Sequence, residues 1–416
     1  MRKERLIVPV LVGLAMAWAV AQAIASLLFE REMARAVADL RARGELAITR
    51  SRIDRGWFSS SGTLYLRPLL GQAWRFALPY EAHHGLLSTR VDGRLELYLG
   101  AEQVPLFGEI LPSTSPPRWQ ARHHVLTETL AGELRLSPFL LRQGERALAF
   151  SGADISVDGI YGDWRLQARL DHVRLVDGEM SLAAGPIALE SRYTYTTGAE
   201  HFTQQDRLEV ERLAWRSPAL SLDGEGLVLH SETTLDEQEL RIRSELTLGK
   251  LVTAGQTLLT GRVVGELSRV NADALRAALD TLGEAAARGE EVLLIRTRIA
   301  HLEPYLLGML ADSPRLDLHE IALDSPMLGL KARGEGTLIF DARHLEALDP
   351  LALDEPAEQA QWLARLDGDA VWRELPPAVA LWLGLPLDTG ELQIDVAGGK
   401  VYLNGRPMPR RLLPQG

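Results

Sequence analysis

Two pairs of adjacent histidines have the residue type and spacing that most readily suggest chemistry, because imidazole nitrogens bind zinc and related metals. They are His83-His84 and His123-His124. Successive side chains of a strand point to opposite faces of the sheet, so one pair cannot easily direct both rings at one metal ion. We therefore expect solvated or hydrogen-bonded histidines and no metal site.

Other motifs of catalytic or cofactor-binding proteins are missing from the sequence. The chain contains no HExxH, GxSxG, Walker or GxGxxG motif and no cysteine that could act as a nucleophile or metal ligand. Its acidic residues are scattered over polar strand positions, so no pair of catalytic carboxylates can be singled out. The sequence thus predicts a protein without enzymatic activity, catalytic residues or cofactor.

An apolar run at residues 6–29, behind a basic tip at residues 1–5, is the element that would position the rest of the chain. Only Gln22 and Ser26 within it are clearly polar. About 20 apolar helical residues cross a hydrocarbon core of about 30 Å. The run therefore predicts a signal-anchor helix that spans a membrane once.

A cleaved secretory signal is the main alternative for this run, and a buried core helix is a second one. Ala21-Gln22-Ala23 and Ala23-Ile24-Ala25 both fit the small-x-small pattern of a cleavage site. The apolar residues continue past Ala25, which favours a retained anchor. Basic residues flank both ends of the run, but the short N-terminal tail and the large following region favour a cytoplasmic N-terminus with the bulk outside.

Charge and length exclude some classes of protein and permit others. A net charge of −11 argues against a nucleic-acid partner, since binding phosphate backbones needs clustered basic residues. The 416 residues suffice for a large core and, by length alone, for roughly two or three domains.

Alternation of apolar and polar residues dominates the middle of the chain. Residues 165–170 and 240–248 alternate between apolar and polar side chains, as half-buried strands do. Asp-Gly pairs such as Asp177-Gly178 separate such segments and favour tight hairpins. The expected fold is mainly β (α+β): an N-terminal transmembrane helix, then one or more long antiparallel β-meander sheets with a few covering helices.

A weak internal repeat suggests two related modules. Residues 208–226 align with residues 316–336, including Ser217-Pro218 with Ser325-Pro326. Because proline interrupts a strand by removing a ladder donor, we expect each copy to bend or to change its pairing at Ser-Pro. The Gly-Glu-Gly groups that close the two segments are expected to be turns or bulges rather than ligand loops.

Helices and termini complete the predicted organisation. A stalk at residues 30–44 ends at Gly44, a helix capped by Asn271 ends by Gly289, and further helices lie at residues 302–310 and within 355–385. The predicted divisions are a cytoplasmic tip (1–5), an anchor (6–29), a stalk (30–44), module one (45–265), module two with a closing hairpin (266–409), and a loose tail (410–416).

A short motif after the anchor carries a family resemblance. Arg55-Gly56-Trp57-Phe58-Ser59-Ser60-Ser61 resembles the signature of a YdgA-like bacterial family catalogued as domain of unknown function 945. The segment ending Asn404-Gly405-Arg406-Pro407 is similar to that family's closing hairpin. The signature residues, all expected to be structural, are Arg55, Gly56, Trp57, Phe58, Ser59, Ser60, Asn404 and Gly405.

The resemblance implies a protein of the bacterial inner membrane whose C-terminal bulk faces the periplasm, without an assigned activity. Hairpins after an anchor are also similar in architecture to AsmA-like envelope proteins associated with lipid traffic. We expect either a sheet that binds lipid or another hydrophobic envelope component, or a structural scaffold that could form homo-oligomers. Trp57 and Phe58 could touch the membrane interface, but burial between the first two strands is favoured.

Overall fold

The computed structural model describes residues 4–42, 46–69, 74–100, 102–195, 200–287 and 295–408. Within these ranges, side chains are not described for residues 4–17, 19–21, 23, 42, 285–287 and 295–301. The tail at residues 410–416 lies outside the described residues, as do the helix ends predicted at Gly44 and Gly289.

The first element is one long helix, α1 (Glu4–Ala42). It extends through the predicted membrane span and most of the predicted stalk. In the part of the chain that the structure describes, no helix is both long and apolar enough to span a membrane. Most side chains of the predicted span lie outside that part, so the anchor stays a prediction.

Strands make up most of the chain after α1, and all named strands pair antiparallel. The prediction of a mainly β protein with a long antiparallel sheet is confirmed. The first fifteen strands are β1 (Leu46–Arg55), β2 (Ser59–Pro68), β3 (Trp74–His84), β4 (Ser88–Arg94), β5 (Glu96–Leu99), β6 (Val104–Pro105), β7 (Arg118–His124), β8 (Thr129–Leu136), β9 (Phe139–Gln143), β10 (Arg146–Phe150), β11 (Ala153–Ile160), β12 (Asp163–Leu170), β13 (Val173–Asp177), β14 (Met180–Ala184) and β15 (Ile187–Tyr195).

The second half of the chain begins with longer strands. They are β16 (Phe202–Arg216), β17 (Ser221–Leu235), β18 (Glu239–Thr253), β19 (Gln256–Asn271), β20 (Arg315–Ser325), β21 (Leu330–Phe340), β22 (Leu366–Arg373), β23 (Glu391–Ala397), β24 (Lys400–Leu403) and β25 (Arg406–Pro407). The predicted closing hairpin is confirmed as the pair β23–β24.

The sheet follows one main path with two side branches. The path runs β1-β2-β3-β4-β7-β8-β11-β12-β15-β16 and then in chain order from β16 to β25. β5 and β6 branch from β3, and β9, β10, β13 and β14 form a branch that joins β16. Strand β16 is long enough to pair with β15 along its first half and with β14 along its second.

Helices lie between the later strands: α2 (Ala272–Ala287), α3 (Ile295–Met309), α4 (Pro356–Leu363) and α5 (Pro377–Leu383). The predicted cap of α2 is confirmed, because the side-chain oxygen of Asn271 accepts a 2.9 Å hydrogen bond from the amide of Ala274. α2 packs against α3 and also contacts β1 and α1. The prediction for residues 355–385 was wrong in part, since Leu366 and Trp372 lie in strand β22 and not in helices.

The chain bends at both Ser-Pro pairs, as predicted, and each pair lies where a strand ends rather than inside one. Ser217-Pro218 lies in the turn between β16 and β17, and Ser325-Pro326 lies where β20 ends and a short 3-10 helix begins. A proline at a turn removes no ladder donor, so the pairing on either side continues. The expected bulge is confirmed at the second Gly-Glu-Gly group, because the β20–β21 register shifts between Leu318 and Ile321, opposite Gly336 and Gly334. At the first group Gly226 has a positive φ of 66°, but the β16–β17 register continues unchanged on both sides of it.

Candidate functional site

One face of the sheet carries a continuous row of apolar and glycine residues that crosses fifteen strands. Strands pack about 4.8 Å apart, so this apolar row extends for about 65–70 Å. Its members are direct register partners on neighbouring strands: Tyr80, Gly93, Trp119, Leu134, Ile155, Ala168, Leu189, Leu208, Leu229, Leu246, Val263, Ile321, Gly334, Trp372 and Leu392.

Both ends of the apolar row are covered. At the first end, Phe29 and Met33 of α1 pack over Tyr80 and Trp119. At the other end, Leu392 is 1% exposed in a cluster with residues of α5 and β24. Burial of these apolar side chains fixes α1 and the C-terminal segment onto the same face of the sheet.

The middle of the apolar row is only partly covered. Leu189, Leu208, Leu229 and Val263 are half-buried, and Leu246 is 41% exposed. A second apolar line runs beside this stretch, with the register partners Ile187, Val210, Leu227 and Leu248. The central strands therefore present an apolar surface two side chains wide that the described residues leave partly open.

A polar line borders this apolar surface on its other side. Its register partners are Ser191, Asp206, Ser231 and Ser244. The Asp206 carboxylate accepts hydrogen bonds of 2.9 and 3.0 Å from the side-chain amide of Gln204. The surface is therefore amphipathic across its width, with hydroxyl and carboxylate groups beside two rows of aliphatic side chains.

The opposite face of the same strands is charged. Arg262 lies 2.9 Å from Glu245 and 3.2 Å from Glu320, on the two neighbouring strands. Lys250 lies 2.9 Å from Glu225 in the same manner. Exposed pairs like these contribute little to stability but keep this face solvated. Only one face of the central sheet is thus suited to an apolar ligand.

Helix α1 is joined to the sheet by a polar stripe that the sequence analysis missed. Gln22, Ser26 and Glu30 are spaced by four residues, so they lie on one helix face. The Gln22 side-chain amide donates to the carbonyl oxygens of Trp57, at 3.4 Å, and His84, and the Ser26 hydroxyl donates to that of Gly56 at 2.9 Å. This i, i+4 spacing inside an apolar run was the signal that one helix face contacts protein.

A buried ion pair also holds α1 against the sheet. The Arg50 guanidinium donates to both carboxylate oxygens of Glu30 at 2.8 and 2.9 Å, and to the Tyr80 hydroxyl at 2.7 Å. Burial acts to raise the pKa of Glu30, but the hydrogen bonds and charge of Arg50 outweigh it and hold that pKa below its usual value. The pair therefore stays ionised while it fixes α1 to β1.

The family-signature residues form the turn that receives α1. Arg55 ends β1, Gly56, Trp57 and Phe58 make the turn, and Ser59 and Ser60 begin β2. A Cβ on Gly56 would lie only 2.6 Å from the Ser59 carbonyl oxygen, so this tight turn needs glycine. Two of the turn carbonyls accept the hydrogen bonds from α1, which gives the motif a structural role.

The predicted burial of Trp57 and Phe58 between the first two strands was wrong. Their side chains are 62% and 52% exposed, and the Phe58 ring centroid lies 5.4 Å from that of Trp18 in α1. The reason is that α1 contacts this turn through hydrogen bonds to the backbone carbonyls of Gly56 and Trp57, so the aromatic rings are not needed between the strands. Arg55 contacts Glu30 at 3.3 Å from the solvent side.

Each histidine pair has one buried and one exposed ring, as strand geometry predicts. His84 and His123 are buried, whereas His83 and His124 are exposed. The His84 ring nitrogens lie 3.2 Å from the Thr89 hydroxyl and 3.1 Å from the Ser60 hydroxyl. In the described part of the chain, no group of three potential ligand residues is placed to hold a metal ion.

The two buried histidines predict a pH dependence of stability. Burial lowers the pKa of both rings below the usual value of 6.5, although Glu30 opposes this at His84 and Glu32 at His123. The unfolded chain then binds protons that the folded chain does not as the pH falls below 6.5. We expect the free energy of unfolding to decrease between pH 7 and pH 5, measured by urea unfolding.

The variant His84→Gln tests this prediction, because glutamine can bond Thr89 and Ser60 but does not titrate. We expect His84→Gln to reduce the decrease in the free energy of unfolding between pH 7 and pH 5. His83→Gln, on the exposed side of the same strand, is the matched control and should retain the parent slope. Equal slopes in both variants and the parent would refute a role for the buried ring.

The C-terminal signature residues form a tight hairpin turn between β24 and β25. Asn404 and Gly405 have φ angles of 47° and 73°, as a two-residue turn with both central residues left-handed requires. The Asn404 side-chain oxygen accepts a 2.7 Å hydrogen bond from the amide of Gln393. Asn404 thus ties this turn to β23, far from the turn at Gly56.

Comparison with known proteins identifies one family. The model of a family described as bacterial protein of unknown function (DUF945) matches residues 1–373. The match includes the Arg55–Ser60 motif and ends before Asn404, so the likeness of the closing hairpin stays an expectation. No curated protein and no solved structure matches the chain.

Proposed function

The chain belongs to DUF945, a family of bacterial proteins of unknown function, and we propose that it is a membrane-anchored envelope protein that binds lipid along the apolar row. In this proposal α1 crosses the inner membrane once, the sheet faces the periplasm, and the protein has no catalytic activity. The observation that carries the proposal is the partly open apolar surface of the central strands, at Leu208, Leu229 and Leu246.

The width and border of that surface support an amphiphilic ligand. Two aliphatic lines would contact an acyl chain, while the polar line of Ser231, Ser244 and Asp206 would contact a headgroup. The Asp206 carboxylate disfavours an anionic headgroup and favours an ammonium group. Phosphatidylethanolamine is therefore the expected class, ahead of phosphatidylglycerol.

A paired substitution on the apolar row tests the proposal. Leu229 and Leu246 are register partners, and each fully buried leucine contributes about 1.5–3 kcal/mol of transfer free energy. Because a ligand would cover them only in part, we expect the double variant Leu229→Gln, Leu246→Gln to bind lipid about tenfold more weakly or worse. The measurement is mass spectrometry of organic extracts of the full chain purified in detergent.

The control is a matched pair on the charged face of the same two strands. His230 and Glu245 are also register partners, and His230→Gln, Glu245→Gln leaves the apolar surface unchanged. Lipid around the anchor is common to all variants, so only the difference between them reports on the sheet. An equal lipid-to-protein ratio in all variants would argue against lipid binding by the sheet and favour the alternative function, a structural scaffold.

A further inference from the structure

Three hairpin turns at one end of the sheet carry exposed apolar side chains where turns are usually polar. They comprise residues 56–58, 85–87 and 125–128, and we call them the three tips. Trp57, Phe58, Leu86, Leu87 and Leu126 are all exposed, Leu87 at 62% and Leu126 at 77%. The turns at Gly144-Glu145, Gly178-Glu179 and residues 236–238 are polar, whereas Tyr161, Leu220 and Leu328 are exposed apolar residues at other turns.

The three tips are neighbours. The amide of His84 donates a 2.7 Å hydrogen bond to the Phe58 carbonyl, and the amide of Val125 donates a 3.0 Å bond to the Leu87 carbonyl. These bonds hold the turns side by side, so the exposed rings and leucines form one apolar rim. A rim of this kind marks a contact surface, because scattered single side chains would not align at one edge.

The first two tips also lie against α1, on the C-terminal half of the predicted anchor. The turn at residues 56–58 contacts Trp18, Gln22 and Ser26, and the His84 carbonyl beside the second tip contacts Gln22. The other helix face at this level is apolar and open, with Ile24 50% and Leu27 70% exposed. It becomes charged at Arg31, one turn later.

The length of the apolar helix places the tips at the level of the bilayer. From residue 6 to Trp18 the helix rises only about 18 Å, which is short of a hydrocarbon core of about 30 Å. Extending the span to Leu27 adds about 14 Å and closes the gap. The added segment, from Trp18 to Leu27, is the part of α1 that lies beside Trp57 and Phe58. A tilted helix would need even more residues to cross the hydrocarbon core.

We propose that the three tips are embedded in the membrane surface beside α1, so that the sheet is fixed to the bilayer by its rim as well as by the anchor. The inference rests on the membrane anchor of the proposed function. By the same helical rise, Phe58 beside Trp18 lies about 14 Å below Leu27, among the acyl chains. The second tip, whose neighbour His84 contacts Gln22, lies nearer the interfacial zone. The apolar row then begins directly above the bilayer, where Tyr80 and Trp119 pack against α1.

Because the chain has no cysteine, single cysteines can report the depth of each tip. The full chain carrying Leu87→Cys or Leu126→Cys is labelled with an environment-sensitive fluorophore and reconstituted in vesicles of phosphatidylethanolamine and phosphatidylglycerol. Leu14→Cys reports on the anchor, and Leu175→Cys, an exposed leucine of β13, is the control away from the tips. The readout is loss of fluorescence when spin-labelled lipid is included.

We expect loss of fluorescence at positions 14, 87 and 126 and none at position 175. Loss at position 14 without loss at 87 and 126 would overturn the inference and leave the anchor intact. No loss at any position would overturn the anchor and the inference together. Equal loss at 87 and 175 would also overturn the inference, because membrane contact would then not be specific to the tips.

Discussion

Replacing Arg50 by methionine is expected to lower the free energy of unfolding by about 3–5 kcal/mol, the effect of leaving one member of a buried ion pair uncompensated. The Arg50 and Glu30 side chains are only 8% and 11% exposed. Methionine retains most of the apolar stem, so the loss reports on the charge and its hydrogen bonds to Glu30 and Tyr80. Urea unfolding of the full chain in detergent, followed by tryptophan fluorescence, measures it.

Two further variants show whether the effect comes from the buried pair. Glu30→Gln combined with Arg50→Met removes both charges, so part of the lost stability should return. Arg55→Met removes the other cation beside Glu30, but that side chain is 66% exposed and its loss should cost at most about 1 kcal/mol. If Arg50→Met and Arg55→Met lowered the free energy of unfolding equally, the Glu30–Arg50 pair would not be the source of the stabilisation.

Replacing Leu392 by alanine is expected to cost about 2–5 kcal/mol, as removal of a fully buried leucine does when the cavity cannot collapse. Leu392 is the last member of the apolar row and packs with Leu375, Ala380 and Leu403. The cavity would lie under the covered end of the apolar row. The decrease in the free energy of unfolding therefore measures how much the packing of the C-terminal segment over this end contributes to stability. Urea unfolding again provides the measurement.

Leu381→Ala is the matched control for this prediction. Leu381 lies in α5, next in sequence to the buried Ala380, but its side chain is 64% exposed. Its loss should change the free energy of unfolding by no more than about 0.5 kcal/mol. A loss for Leu392→Ala as small as that for Leu381→Ala would show that the end of the row is not closed by this cluster.

The sequence predicts the strands well because their signal is local. Alternation at residues 240–248 and the Asn271 cap are both recovered in the structure. The apolar row could not be predicted, because it depends on which strands pair and in which register. The bulge in β20 shows the difficulty: it shifts the register with β21 between Leu318 and Ile321, next to a member of the apolar row, which no single strand reveals.

The role of the signature motif was also beyond local reasoning. Trp57 and Phe58 are large and apolar, and such residues are usually buried, so burial between strands was the natural expectation. Their exposure follows from a contact across some 30 residues of sequence, in which Ser26 bonds the Gly56 carbonyl. Only the spacing of Gln22, Ser26 and Glu30 in α1 hinted at that contact.

The measurement that tests the central claim most directly is photo-crosslinking from the two faces of one strand. A benzophenone amino acid replaces Leu246, on the apolar row, or Thr247, on the charged face, in the full chain in bacterial membranes. The account predicts that mass spectrometry finds a phospholipid adduct at position 246 and none at position 247. No lipid adduct at position 246, or equal adducts at both positions, would contradict it.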